Sequence, residues 1–195
     1  MDTARYVVGL LLMLGLPPGI AWWFVVHPIA GFWRRRGVTL TMTVMGVFMV
    51  GGVVALWFVR EALMGRDLGT NNVLAGLALV PLLGAIIINR KRRKYLTKRI
   101  LSGIPEISTD DPGTLLTEGI YRRIRHPRYV EIMLAALAYA LFSNHLGPYV
   151  LFALCFPILH AVVLMEEREL SQRFGDEHEA YRARVPRYLP RTTRD

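Results

Sequence analysis

From Val38 to Val59 the chain runs 22 residues without a charge, and a helix of that length rises about 33 Å, enough to cross a hydrocarbon core of about 30 Å. That run fixes the environment of everything around it. Before it, Tyr6 to Trp33 is apolar apart from His27 and ends at Arg34-Arg35-Arg36. It reads as a first span, and Pro17-Pro18 in its middle removes two backbone donors, so a kink or break is expected there. After Arg60-Glu61 and a polar connection holding Arg66, Asp67 and Asn71-Asn72, a shorter apolar run from Val73 to Ile88 carries Pro81. It reaches across if its flanking residues snorkel.

The composition then departs sharply. Asn89 to Glu118 opens with Arg90-Lys91-Arg92-Arg93-Lys94 and closes on the acidic, turn-rich stretch from Glu106 to Gly113. Tyr95, Leu96, Ile100 and Leu101 among Lys98 and Arg99 read either as an interfacial helix among lipid headgroups or as an extension of the third span into water. Two more apolar arms follow, Val130 to Phe142 and Tyr149 to Leu164, turning at Ser143 to Pro148, where Gly147 and Pro148 are the expected turn residues. From Glu166 onward the chain is charged, with a helix expected to about Arg184 and a stop at Pro186. The expected fold is therefore all-α, an integral membrane protein of about five transmembrane helices. It divides into a three-span region, residues 1–89, and a core, residues 90–195, made of a cytoplasmic loop, a two-span hairpin and a charged tail.

Composition agrees with the membrane reading and limits the partners. The chain is 53% hydrophobic with a net charge of +9, and its basic residues sit in loops beside the spans, where they orient the protein and meet anionic lipid. Nucleic acid is not an expected partner. Five spans place every Lys and Arg except Arg5, Arg60 and Arg66, out of 24 in all, on one side, which the positive-inside tendency makes cytoplasmic. The first apolar stretch has no Ala-x-Ala cleavage site and is expected to stay in the mature protein. With no targeting signal evident, the bacterial inner membrane is the default location. Cys155, the single cysteine, falls in an apolar run and reads as a small packed hydrophobe. The histidines show no metal-ligand spacing, and no phosphate loop, dinucleotide glycine pattern or nucleophile elbow is present.

The hairpin brings two polar clusters to one membrane face. Gly119 to Tyr129 lies at the foot of its first arm and Met165 to Glu169 at the foot of its second. Ionisable groups at membrane depth each need a partner, so Tyr121, Arg125, His126, Tyr129, Glu166 and Glu167 are candidate functional residues. The competing reading is structural, with Arg125 and Arg128 snorkelling and pairing with Glu166 or Glu167 to close the hairpin.

The pattern Leu115-Leu116, Gly119-Ile120-Tyr121, Arg125-His126-Pro127 and Tyr129, followed by Glu166-Glu167, Phe174-Gly175, Tyr181, Val185-Pro186 and Leu189-Pro190, resembles the isoprenylcysteine carboxyl methyltransferase family, relatives of the phospholipid N-methyltransferases. The resemblance covers about Leu115 to Pro190. It implies a membrane enzyme using S-adenosylmethionine, with Leu115, Leu116, Tyr121, His126, Pro127, Arg128, Tyr129 and Glu166 lining the cofactor pocket under the cytoplasmic loop. Arg125, Glu131, His160 and Glu167 are the corresponding candidates for the acceptor. The residue chemistry suits that cofactor: a carboxylate such as Glu166 accepts from its hydroxyl or ammonium groups, and Tyr121 and Tyr129 offer ring faces to the sulfonium and adenine. Methyl transfer to an activated carbon needs alignment and dryness more than an acid–base dyad.

At three positions the chain departs from that family's pattern. Val162 stands one turn before the paired glutamates, where an Arg is thought to meet the substrate carboxylate, Glu131 stands where Gly is frequent, and Gly113-Thr114 stands where a His commonly precedes the leucine pair. The expected activity is methyl transfer to a lipophilic acceptor, either a prenylcysteine carboxylate or an amine-bearing lipid. Two readings compete with it. One is an NADPH-dependent reductase of the sterol-reductase type, with Arg122, Arg123, Arg125 and Arg128 for the 2′-phosphate. The other is a non-catalytic lipid-binding protein.

Overall fold

The computed structural model describes residues 2–96 and 113–191, and every regular element among them is helical. The protein is an all-α integral membrane protein. Helix α1, Asp2–Val26, passes through a 3₁₀ turn, His27–Ile29, into α2, Ala30–Arg36. Helices α3, Val38–Phe58, and α4, Arg60–Met64, follow, then α5, Asn72–Leu77, and α6, Leu79–Arg93. The C-terminal part holds α7, Pro127–Ser143, α8, Leu146–Phe174, and α9, Asp176–Arg184. Among the described residues four stretches are long and apolar enough to cross a membrane: Asp2–Arg36, Val38–Phe58, Asn72–Arg93 and Leu146–Phe174. The first arm of the hairpin, α7, has 17 residues and a length of about 25 Å, at the short end for a crossing.

The interruptions fall elsewhere than the sequence led us to expect. Pro17 and Pro18 lie inside α1 without breaking it. The first span breaks instead at His27–Ile29, where Pro28 has no N–H to give and the Trp33 indole N–H donates to the carbonyl of Val25 at 3.0 Å, capturing an acceptor freed by the break. The third span divides at Ala78, between α5 and α6, because Pro81 cannot donate to the carbonyl of Leu77. Asn71 starts that span as its N-cap, accepting from the amides of Val73 and Leu74 at 3.0 and 3.1 Å.

Two further boundaries differ. Arg90 to Arg93 continue α6 as helix, so the first part of the basic segment extends the third span, while Ile100, Leu101 and the acidic stretch lie outside the described residues. The hairpin turn consists of Asn144 and His145, with Asn144 left-handed at φ 49° and ψ 46°, a conformation Asn tolerates. Gly147 and Pro148 belong to the first turn of α8, where a missing donor costs little. Gly147 is required for another reason: a Cβ there would lie 1.8 Å from the carbonyl oxygen of Leu63.

The core gathers where α1, α7 and α8 meet, around Leu10, Met13, Met64, Ala136, Leu159 and Val163. Ala136 and Ala140, both fully buried, are one turn apart on α7. Small residues at that spacing let neighbouring helices approach closely. At the turn end of the hairpin, Arg5 is 2% exposed. It donates to the carbonyl of Ser143 at 3.1 Å and to Thr70 at 2.9 Å, and it pairs with Asp2 and Asp67. His145 completes this polar end, hydrogen-bonded to Ser143.

Candidate active site

The opposite end of the hairpin carries the two polar clusters. Gly119 opens a 3₁₀ turn, Gly119–Arg122, with φ +57°, and a Cβ there would lie 2.2 Å from the Tyr95 ring. Only glycine lets the turn lie against the end of α6. Beyond it the backbone pairs with the C-terminal segment: the amide of Arg125 donates to the carbonyl of Pro186 at 2.9 Å and that of His126 to Arg187 at 3.1 Å. Pro127 then starts α7 at the helix position where its missing donor is harmless.

The second cluster rides on α8, which continues as helix beyond its apolar part to Phe174. Adjacent glutamates on a helix point about 100° apart, and here they perform different tasks. Glu167, 4% exposed, faces inward. Its carboxylate lies 3.0 Å from His126 Nε2, accepts both Nε and Nη2 of Arg187 at 3.0 and 2.7 Å, and pairs with Arg125 at 3.0 Å. This knot binds α8 to the foot of α7 and to the C-terminal segment, as the structural reading of Arg125 anticipated. Glu166 accepts the Tyr129 hydroxyl at 2.6 Å and lies 3.7 Å from His126 Nδ1.

Leu115, Leu116, Tyr121, His126, Pro127, Arg128, Tyr129 and Glu166 all line one cavity, together with Arg125. Sequence reasoning had not assigned Arg92, Leu96, Thr114, Leu170, Arg173 and His178, which also line it. Leu170 and Arg173 lie four and seven residues after Glu166, on the same helical face, so their spacing was a usable signal. Arg92 is one cation in a basic run, and nothing local marks it out. The arginines on this wall are already engaged: Arg92 with Glu131, Arg125 with Glu167, Arg173 with Glu169, and Arg128 over the Trp23 ring at 4.6 Å. Arg122 and Arg123, the other half of the suggested phosphate cluster, are exposed and line neither this cavity nor the next.

Burial governs the ionisation of this wall. It pushes the Tyr121 hydroxyl up to about 12 and raises Tyr181, whose hydroxyl donates to the carbonyl of Tyr121 at 2.7 Å. The buried His178 is lowered by desolvation and hydrogen-bonds Ser171 at 2.9 Å. Desolvation also lowers Arg125, against the opposing pull of Glu167. The tyrosines are therefore neutral donors and ring faces at physiological pH, and among the described residues Glu166 is the one carboxylate lining the cavity. A carboxylate, two tyrosine faces, and leucines beside polar groups suit a molecule with a sulfonium, an aromatic base and an ammonium.

A second cavity, about 530 Å³, lies on the other side of Tyr129. Met133, Leu137, Phe152, Phe156 and Leu159 make it apolar, and among the described residues no Asp, Glu, Lys or Arg lines it. His160 does, with its Nδ1 2.8 Å from the Tyr188 hydroxyl. Tyr129 is the wall shared by both cavities. Two acceptor candidates lie elsewhere. Glu131 is bound by Arg92 at 2.9 Å and by Asn89 at 2.6 Å, so it ties α6 to α7 and lines neither cavity. Glu167 is consumed in the knot. Val162 is wholly buried in the core, so it also leaves no charge at the acceptor's position. Among the described residues, no group of three or more His, Cys, Asp or Glu is placed to hold a metal ion.

Residues 71–177 match the family model described as phospholipid methyltransferase. The chain belongs to that family. It is also related to the isoprenylcysteine carboxyl methyltransferases: it is 27% identical over 164 residues to the probable protein-S-isoprenylcysteine O-methyltransferase of Oryza sativa subsp. indica, covering 83% of this chain and 85% of that protein. The match to protein-S-isoprenylcysteine O-methyltransferase of Schizosaccharomyces pombe is 35% over 77 residues, covering 39% of this chain but only 33% of the yeast protein. Cobalt-zinc-cadmium resistance protein CzcN of Cupriavidus metallidurans is 35% identical over 86 residues, 44% of this chain and 39% of that one. In this phospholipid methyltransferase family member the matched region runs from α5 into α9. It therefore contains Glu166 and His126 of the first cavity, while His178 of that cavity and Tyr188, which closes the second, lie beyond it.

Proposed function

We propose that the chain is an S-adenosylmethionine-dependent methyltransferase acting at the cytoplasmic membrane face on a lipophilic acceptor, either a prenylcysteine carboxylate or an amine-bearing lipid. The observation that carries this reading is Tyr129, which lines both a polar cavity and an apolar one. A water-soluble methyl donor and a lipid acceptor must touch at their reacting atoms in a dry place, and adjoining cavities that share one residue would bring them there. S-adenosylmethionine, when bound, supplies a methyl carbon already activated by its sulfonium. Glu166 would accept hydrogen bonds from its ammonium or ribose hydroxyls, Tyr121 would present a ring face, and Leu115 and Leu116 would cover the base. Tyr129, held by Glu166, would align the two ligands and keep water out.

Titration of the purified protein with S-adenosylhomocysteine and with NADPH separates this reading from its competitors. Saturable binding of the former and none of the latter is the expected result. Saturable NADPH binding would favour a reductase, and binding of neither a lipid-binding role. The orientation is open to an independent check. In a Cys155→Ala background, a cysteine at Glu118 is expected to react with an impermeant maleimide only from the cytoplasmic side and one at Asn72 only from the other. The reverse pattern would put the polar cavity on the side away from the cytoplasm.

A further inference from the structure

The apolar cavity contains one feature that a mere tail-binding slot does not need. His160 lies six residues before Glu166 on α8, about 9 Å farther along the helix axis from the polar end, at membrane depth. An imidazole there is costly unless it has work or partners. Its Nδ1 is fixed by Tyr188, which the C-terminal segment brings back from beyond α9. His160 is an exposed side chain that lines the cavity, and in the tautomer whose Nδ1–H donates to the Tyr188 hydroxyl oxygen its Nε2 keeps a free lone pair.

Among the described residues this cavity has no Lys or Arg on its wall. The arginines lining the polar cavity pair with Glu131, Glu167 and Glu169 or stack on the Trp23 ring. The Nε donor of Arg125, which has no hydrogen-bond partner among the described residues, and that of Arg173 are on that polar wall and not on this one. A carboxylate carried into this space would be an unpaired buried charge, which is strongly disfavoured. A neutral amphiphile enters without that penalty. If its nucleophile carries an N–H or O–H, however, methylation leaves it with a proton to lose, and a carboxylate acceptor would have none.

We infer that His160, oriented by Tyr188, is the proton acceptor for a neutral, protic lipid nucleophile, an amine or hydroxyl at the head of an apolar tail. The inference rests on the methyltransferase reading above. In the step, the lone pair of the acceptor's nitrogen or oxygen forms the bond to the methyl carbon, and the carbon–sulfur bond breaks with its pair going to sulfur, leaving a neutral thioether. The acceptor's proton passes to Nε2 of His160 and then to water at the membrane surface. Tyr129, Tyr188 and Cys155 are the other titratable groups on the cavity wall. Tyr129 donates to Glu166 and Tyr188 is paired with His160 itself.

The test uses the full chain in phosphatidylcholine nanodiscs and three probes sharing one tail: farnesylamine, farnesol and N-acetyl-S-farnesylcysteine. Saturable retention of each tritiated probe by loaded over empty nanodiscs reads occupancy without any methyl donor. Farnesylamine and farnesol are expected to bind about tenfold more weakly to His160→Gln than to the wild type, and the carboxylate probe equally to both. With S-adenosylmethionine added, the wild type should methylate a protic probe, and His160→Gln should lose about a hundredfold in rate. Imidazole should restore part of the rate in His160→Ala. Efficient methylation of the carboxylate probe with both protic probes inert would overturn the inference, as would unchanged turnover in both His160 variants. Failure of the wild type to bind S-adenosylhomocysteine is a different result, and would remove the methyltransferase reading together with this one.

Discussion

Glu167→Ala is expected to destabilise the protein by about 3–5 kcal/mol, the scale for breaking a buried ionic network by removing one partner, read as a large fall in the unfolding midpoint in detergent. The carboxylate it removes serves His126, Arg125 and Arg187 at once. Its loss leaves the buried Arg125 guanidinium without its counter-charge. Arg187→Ala should cost far less, on the order of 1 kcal/mol, because that side chain is about a third exposed and water replaces its role. An equal effect of the two substitutions, or none from Glu167→Ala, would show that the knot does not hold the hairpin to the C-terminal segment.

Glu166→Gln, one residue away, is expected to behave in the opposite manner. Gln can still accept the Tyr129 hydroxyl, so folding should be unchanged, while S-adenosylhomocysteine affinity should fall by about 1–3 kcal/mol, the scale of a lost charged hydrogen bond. By calorimetry that is a rise in Kd of about five- to 150-fold. An unaltered Kd would remove Glu166 from the cofactor's surroundings, and a lowered unfolding midpoint would make it part of the structural network instead.

The contrast between these two neighbours shows how far sequence reading reached. Apolar length located the spans because crossing a bilayer is a constraint on length alone, and the spacing of Arg125, His126, Glu166 and Glu167 placed them together because the intervening hairpin returns the chain to the same face. Which glutamate turns inward was not legible. It depends on the rotation of α8, set by packing of Leu159, Val162 and Val163 against α1 and α7. Glu131 illustrates the same limit: its charge invited an acceptor role, but α6 presents Asn89 and Arg92 to it across 39 to 42 residues of sequence. The interruptions were misplaced for a similar reason. Proline marks where a donor is missing, but whether a helix breaks there depends on what collects the orphaned carbonyl, as Trp33 does for Val25. His160 and Tyr188 became a pair only once the tail was seen to return past α9.

The Arg5 cluster gives the hairpin a fixed heel. With the ends of α1 and α7 and the segment at Asp67 and Thr70 all fastened to one buried guanidinium, the arms cannot separate there. The Glu167 knot clamps the opposite end, where α8 is bound to His126, Arg125 and Arg187. The hairpin is thus pinned at both ends like a strung bow, and any change in the spacing of α7 and α8 is confined to the apolar stretch between the two clamps.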